Sequence, residues 1–172
     1  MKNMFLLPLF MLAAFSTYAQ NDAISKFFNQ YAEDERFTVV YISPKMFQMV
    51  AKIETNDPDW NKVRDVIKDL GGLRVLTADS IGDGVAMYKE AMNRVPQKEY
   101  EELLTVRDGQ EHVRFMIKES NNVISELLLL VGSPNEFTML SFTGKIDLDK
   151  ISSLAKTMDI EGIDKLDKLK KD

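Results

Sequence analysis

The chain has 172 residues, 45% of them hydrophobic and 28% charged, with 22 Lys and Arg against 27 Asp and Glu, one His and no Cys. A net charge of −5 argues against a nucleic-acid partner, which needs a basic footprint, and against attraction to anionic lipid. One His and no Cys exclude a His- or Cys-based zinc cluster, any disulfide and any lipid-modified cysteine.

At the N-terminus Lys2 precedes an apolar run from Met4 to Phe15, and Thr17-Tyr18-Ala19 places small residues at the −3 and −1 positions before Gln20. That pattern is a secretory signal peptide over residues 1–19, with an apolar run too short to span a bilayer as a helix. Residues 20–172 are then expected to form one domain. A chain of that length can bury roughly 70% of its unfolded surface in a single core without disulfide support. Removing Lys2 with the leader moves the net charge to −6.

The first predicted helix carries Ile24, Phe27, Phe28 and Tyr31 at helical spacing behind Asp22 as cap. Phe37 to Ile42 is β-branched and aromatic, a strand. Ser43-Pro44 reads as a cap followed by proline at the first helical position, opening a helix with Met46, Val50 and Ile53 inward. Asp57-Pro58 repeats the device for a helix with Trp60, Val63, Ile67 and Leu70 on one face, stopped by Gly71-Gly72 as a glycine C-cap. Leu73 to Ala78 is a second strand, and Gly84 to Asn93 a further helix ending before Pro96.

Beyond Pro96 come four strand-like runs, punctuated by Asp108-Gly109, Asn121-Asn122 and Gly132-Ser133-Pro134-Asn135. Asp-Gly is a hairpin signal, because both central residues of the favoured turn need positive φ. The run Glu126 to Val131 is apolar on both faces beyond its glutamate, so it is expected at the centre of a sheet. A last helix is predicted from Asp147, with Leu148, Ile151, Leu154 and Met158 inward. Ile160, Ile163, Leu166 and Leu169 then recur every third residue, a drifting stripe that reads as a short cap docked through Ile160 and Ile163, with a partner-binding helix as the rival. The expected class is α+β: a single two-layer domain, a largely antiparallel sheet with a C-terminal meander and helices packed on it.

Several stretches mimic functional motifs. Asp79-Ser80-Ile81-Gly82-Asp83-Gly84, with Glu90 at the twelfth position, copies part of an EF-hand loop, but Ile81 stands where an oxygen ligand belongs. The plainer reading is a strand-to-helix loop with Asp83 as cap. Ser153 and Lys156 match the S-x-x-K of serine acyl-enzymes, and Ser120-Asn121-Asn122 resembles a partial second box, yet no K-T-G element follows. His112 opens a predicted strand without a nucleophile elbow near it. Glu99, Glu101, Glu102, Glu111, Glu119 and Glu126 populate the strand region. They read mostly as a solvated sheet face and hairpin ends, and Glu126, between apolar runs, is the first to inspect as an acid of a paired-carboxylate site. The scattered Met46, Met49, Met87, Met92, Met116, Met139 and Met158 read as core filler.

Phe27-Phe28 with Tyr31, the strand Val40-Tyr41-Ile42-Ser43, the long hairpin region, Phe142-Thr143-Gly144-Lys145 and the segment from Asp147 through Ile160, Ile163 and Leu166 resemble together the domain-of-unknown-function 4252 family. The resemblance covers nearly all of the chain after Ala19. It implies an exported bacterial protein, in a family where many members are lipid-anchored, and implies no catalytic residue. No catalytic, cofactor-binding or metal residue is therefore assigned. The expected function is that of an exported periplasmic or envelope protein that binds another envelope protein or a small ligand. The alternative is a small hydrolase with a site at Glu126 or near His112. N-terminal sequencing of the protein recovered from the native envelope fraction is expected to begin at Gln20, and a chain beginning at Met1 would refute the leader.

Overall fold

Short connections force neighbouring strands to pair antiparallel, and the second half of the chain is built from them, two of two residues and one of three. In the computed structural model, which describes residues 23–147, β3 (Glu101–Asp108), β4 (Glu111–Ser120), β5 (Val123–Gly132) and β6 (Glu136–Ile146) form an antiparallel meander. Asn121 and Asn122 both hold positive φ, 53° and 61°, which makes the β4–β5 connection a type I′ turn. The β3–β4 turn is one residue later than the Asp-Gly signal suggests. Its central residues are Gly109 and Gln110, with only Gly109 at positive φ, as type II′ requires.

Ahead of the meander run α1 (Ala23–Tyr31), β1 (Thr38–Ile42), α2 (Pro44–Val50), α3 (Pro58–Ile67), β2 (Leu70–Asp79) and α4 (Gly84–Arg94). The six strands are ordered β1-β2-β6-β5-β4-β3 and all pairings are antiparallel. The α+β class, the antiparallel sheet and the C-terminal meander are as the sequence predicts. Helices lie on both faces of the sheet, where two layers were expected. The predicted helix from Asp147, the tail with Ile160 and Ile163, and Ser153 with Lys156 lie outside the described residues, as do residues 1–22.

Strand alternation divides the apolar residues into two clusters. Leu127 and Leu129 of β5 join Phe115, Leu140 and Phe142 beneath Phe47 of α2 and Val66 and Ile67 of α3. Leu128 and Leu130 point the other way, joining Met116, Phe137 and Met139 beneath Ile24, Phe27 and Phe28 of α1 and Met87, Tyr88 and Ala91 of α4. All four leucines are buried, each contributing about 1.5–3 kcal/mol relative to exposure.

Three local expectations change. Phe47, not Met46, fills the inward face of α2, while Met46, Met49 and Ile53 are about half exposed at 51%, 58% and 49%. The helix ends at Val50, so Ile53 is beyond it, and Phe47 with Val50 defines the i,i+3 stripe that meets the sheet. The Ser43 cap holds, its hydroxyl accepting the Met46 N–H at 3.2 Å. Next, α3 stops at Ile67, and Gly71-Gly72 belong to β2 rather than to a helix cap. The register of β2 on β6 shifts between Leu70 and Gly72. There Gly144, at φ 131°, comes so close that a Cβ on it would lie 2.4 Å from the Gly71 nitrogen. Third, Asp83 occupies the N-cap position of α4 without a side-chain capping bond.

The start of α4 is seated on the ends of β5 and β6 by glycines. A Cβ on Gly132 would lie 2.3 Å from the Tyr88 Cβ, and one on Gly84 would lie 2.1 Å from the Glu136 carbonyl oxygen. Gly132→Ala is expected to cost about 3 kcal/mol by overpacking. Gly109→Ala, with open space around it but positive φ, should cost about 1 kcal/mol of backbone strain. Urea melts of the two variants beside the wild type check the order.

Candidate functional site

Glu126 is a carboxylate in a strand otherwise filled with leucine. It shares a face with Leu128 and Leu130, the face covered by α1 and α4, and is only 5% exposed. Burying a carboxylate is costly unless hydrogen bonds replace its water. Here the fully buried Ser141 of β6 donates its hydroxyl to Oε1 at 2.7 Å, and Tyr100, just ahead of β3, donates to Oε2 at 2.7 Å. Both are hydrogen bonds of ordinary O–H···O length.

Basic residues stand on the neighbouring strands. Lys118 of β4 is the direct cross-strand partner of Glu126, and its Nζ meets Glu99 Oε2 at 2.5 Å. Arg74 of β2 pairs with Ser141 across the ladder, its guanidinium 5.6 Å from the centre of the Tyr41 ring. The network joins the loop after α4 to the centre of the sheet.

His112 belongs to a different place. Its ring stacks on Tyr88 of α4, centroids 5.2 Å apart and planes 18° from parallel. Burial pushes the Tyr88 phenol pKa upward, Arg114 opposes the shift and Glu102 adds to it. Glu102 binds Arg114 at 3.1 Å and accepts the Thr105 hydroxyl. His112 and Lys118 are six residues apart on β4, and Lys118 faces Glu126. At about 3.4 Å per residue the imidazole is roughly 20 Å along the strand from that carboxylate. Glu126 and His112 therefore cannot act on one substrate bond.

The EF-hand-like loop is also pulled apart. Ile81 packs against the α1/α4 cluster, and the Asp83 carboxylate faces Arg36 at 3.5 Å. Glu90 turns toward α1, accepting the Tyr31 hydroxyl at 2.8 Å and Arg94 at 2.6 Å. Burial first, then Glu90, raises the Tyr31 pKa. Ser120-Asn121-Asn122 is the β4–β5 hairpin turn. Glu99, Glu101 and Glu119 are exposed. Among the described residues, no three His, Cys, Asp or Glu side chains are grouped to hold a metal ion.

What sequence reasoning missed is a surface. Of the seven exposed large hydrophobic residues described, five fall between positions 40 and 53: Val40, Tyr41, Met46, Met49 and Ile53. Met46 and Met49 are therefore not core filler, whereas Met87, Met116 and Met139 are buried as expected. One signal was available. From Arg36 to Ile53 the acidic chain carries three basic residues and no Asp or Glu.

These features define an α+β domain whose six-stranded antiparallel sheet buries a carboxylate–hydroxyl network and leaves an apolar, basic margin at β1 and α2. The chain belongs to the family described as "Domain of unknown function (DUF4252)", whose profile matches residues 31–154. No curated protein and no solved structure matches it.

The network makes a structural prediction. Glu126→Ala should cost about 3 kcal/mol, because it opens a cavity and leaves the Ser141 hydroxyl buried without its acceptor. Glu126→Gln should cost about 1 kcal/mol, because the amide oxygen still accepts one hydroxyl. Urea denaturation separates the two, and a loss near zero in both would show that the network does not hold the fold.

Proposed function

We propose that this protein is an exported envelope protein that works as a non-enzymatic binding module for another envelope protein or a small ligand. The observation that carries the reading is the exposure of Val40, Tyr41, Met46, Met49 and Ile53, five of the seven exposed large hydrophobic residues described, all on β1, α2 and the turn after it. Exposed apolar residues scattered singly are ordinary, but a local concentration marks an interaction surface. Methionine suits such a surface, since its flexible thioether adapts to the shape of a partner. Export is supported by the Lys2, Met4–Phe15 and Thr17-Tyr18-Ala19 pattern.

The polar groups support the same reading. Glu126 is engaged by Tyr100 and Ser141, and His112 is stacked on Tyr88 in another part of the sheet. A hydrolase brings its acid, base or nucleophile together around one substrate atom.

The test is an assay of the purified mature protein against chromogenic esters and glycosides, beside Glu126→Gln and His112→Ala. Background hydrolysis unchanged by either substitution is expected. Turnover abolished by one of them, in a variant that still melts cooperatively, would overturn the reading in favour of a hydrolase.

A further inference from the structure

The two edges of the sheet are built differently. The β3 edge is defended. It carries Glu101, Glu102, Arg107 and Asp108, and its ladder to β4 is broken by a register shift between Glu102 and Leu104. Charges and bulges are the ordinary means by which an edge strand avoids pairing with foreign backbone. The β1 edge has neither. Its sequence Thr-Val-Val-Tyr-Ile contains no proline and no charge, and it pairs with β2 without a register shift from Thr38↔Thr77 to Ile42↔Leu73. The other four ladders are each interrupted.

Both faces of β1 are apolar at the margin. Val39 packs against the α1/α4 cluster, and Tyr41, 56% exposed, lies on that same face against Phe28 and beneath Arg74. Val40, 40% exposed, shares the α2 face with Ile42. Strand addition uses such an edge: backbone hydrogen bonds supply affinity, and alternate side chains of the incoming segment meet the two faces.

The charges specify the partner. Lys45 and Lys52 are exposed on and just after α2, and no acidic residue lies between Arg36 and Glu54. Arg36, at the other end of the strand, is already engaged by Asp34 at 2.8 Å and Asp83 at 3.5 Å. We infer that β1 accepts, as a seventh strand, an extended β-branched segment of another protein that carries acidic residues at the end lying beside Lys45. The inference rests on the binding-module reading and names the surface and the chemistry of its partner.

The probe is a short fluorescein-labelled peptide of alternating valine and threonine with two aspartates at each end, titrated into the full mature protein by fluorescence polarisation. Saturable binding is expected, at least about tenfold tighter than that of the same peptide with lysine ends. N-methylation of every amide in the valine–threonine run should abolish it, because neither edge of the peptide then keeps an N–H to donate to the ladder. Val40→Lys should weaken it about tenfold, while Val123→Lys, at an exposed site elsewhere, should not. Lys45→Glu combined with Lys52→Glu should erase the preference for acidic ends. Thermal melts confirm that each variant is folded.

No saturable binding at millimolar peptide, equal binding of the N-methylated form, or indifference to the end charges would overturn the inference. So would a peptide of residues 148–172 displacing the probe, or a dimer of the protein alone that Val40→Lys dissolves, since either assigns the edge to this chain. The binding-module reading falls separately, by turnover lost in Glu126→Gln or His112→Ala.

Discussion

The double-sided burial of β5 is the constraint on which the rest of the domain depends. Leu127 and Leu129 face one layer of helices and Leu128 and Leu130 the other. A strand apolar on both sides can sit only in the interior of a sheet whose two faces are both covered. β6 shares the role, with Leu140 and Phe142 on one side and Phe137 and Met139 on the other. Once these strands are central, β2 closes on the free side of β6, and the helices flanking β2 in sequence divide between the faces. A one-residue slip in β5 would exchange the two faces and bring Glu126 among Phe47 and Val66, so the register is strongly specified.

The same geometry accounts for the buried carboxylate. Glu126 lies where the apolar run of β5 begins, on the face of α1 and α4, and β6 offers Ser141 beside it rather than another leucine. Tyr100, in the connection between α4 and β3, packs on the same cluster and closes the network. A polar network of this kind ties a loop to the sheet and penalises any packing that would leave one of its hydroxyls unpaired. Structural necessity thus accounts for the one acid that sequence alone set apart.

The sheet has two margins with contrasting physical character. At β3, charge and a bulge interrupt the ladder, and the outward residues favour water. At β1, an uninterrupted ladder of β-branched and aromatic residues ends at the surface beside two exposed methionines of α2. In a chain of net charge −5, the segment from Arg36 to Ile53 carries no acidic residue, and Lys45 and Lys52 are exposed in it while Arg36 is held by Asp34 and Asp83.

The sequence by itself determined the kinds of element and their punctuation. Ser43-Pro44 and Asp57-Pro58 start helices, Asn121-Asn122 turns a hairpin, and the leucine run of β5 requires a central strand, because each is decided by local backbone geometry or by a period of two residues. It determined also which chemistries are excluded, since a chain with one His and no Cys lacks the ligands for them. Tertiary structure decided what depends on close approach between distant segments. Gly71-Gly72, adequate locally as a helix stop, became strand because β2 must pass Gly144 at close range. Phe47 displaced Met46 as the inward residue of α2 because a two-turn helix can bury only the stripe that faces the sheet. The roughly 20 Å between His112 and Glu126 follows from strand register, and the place of β1 at an edge of the described sheet from strand order; both are properties of pairings between residues far apart in the chain, which no local period encodes.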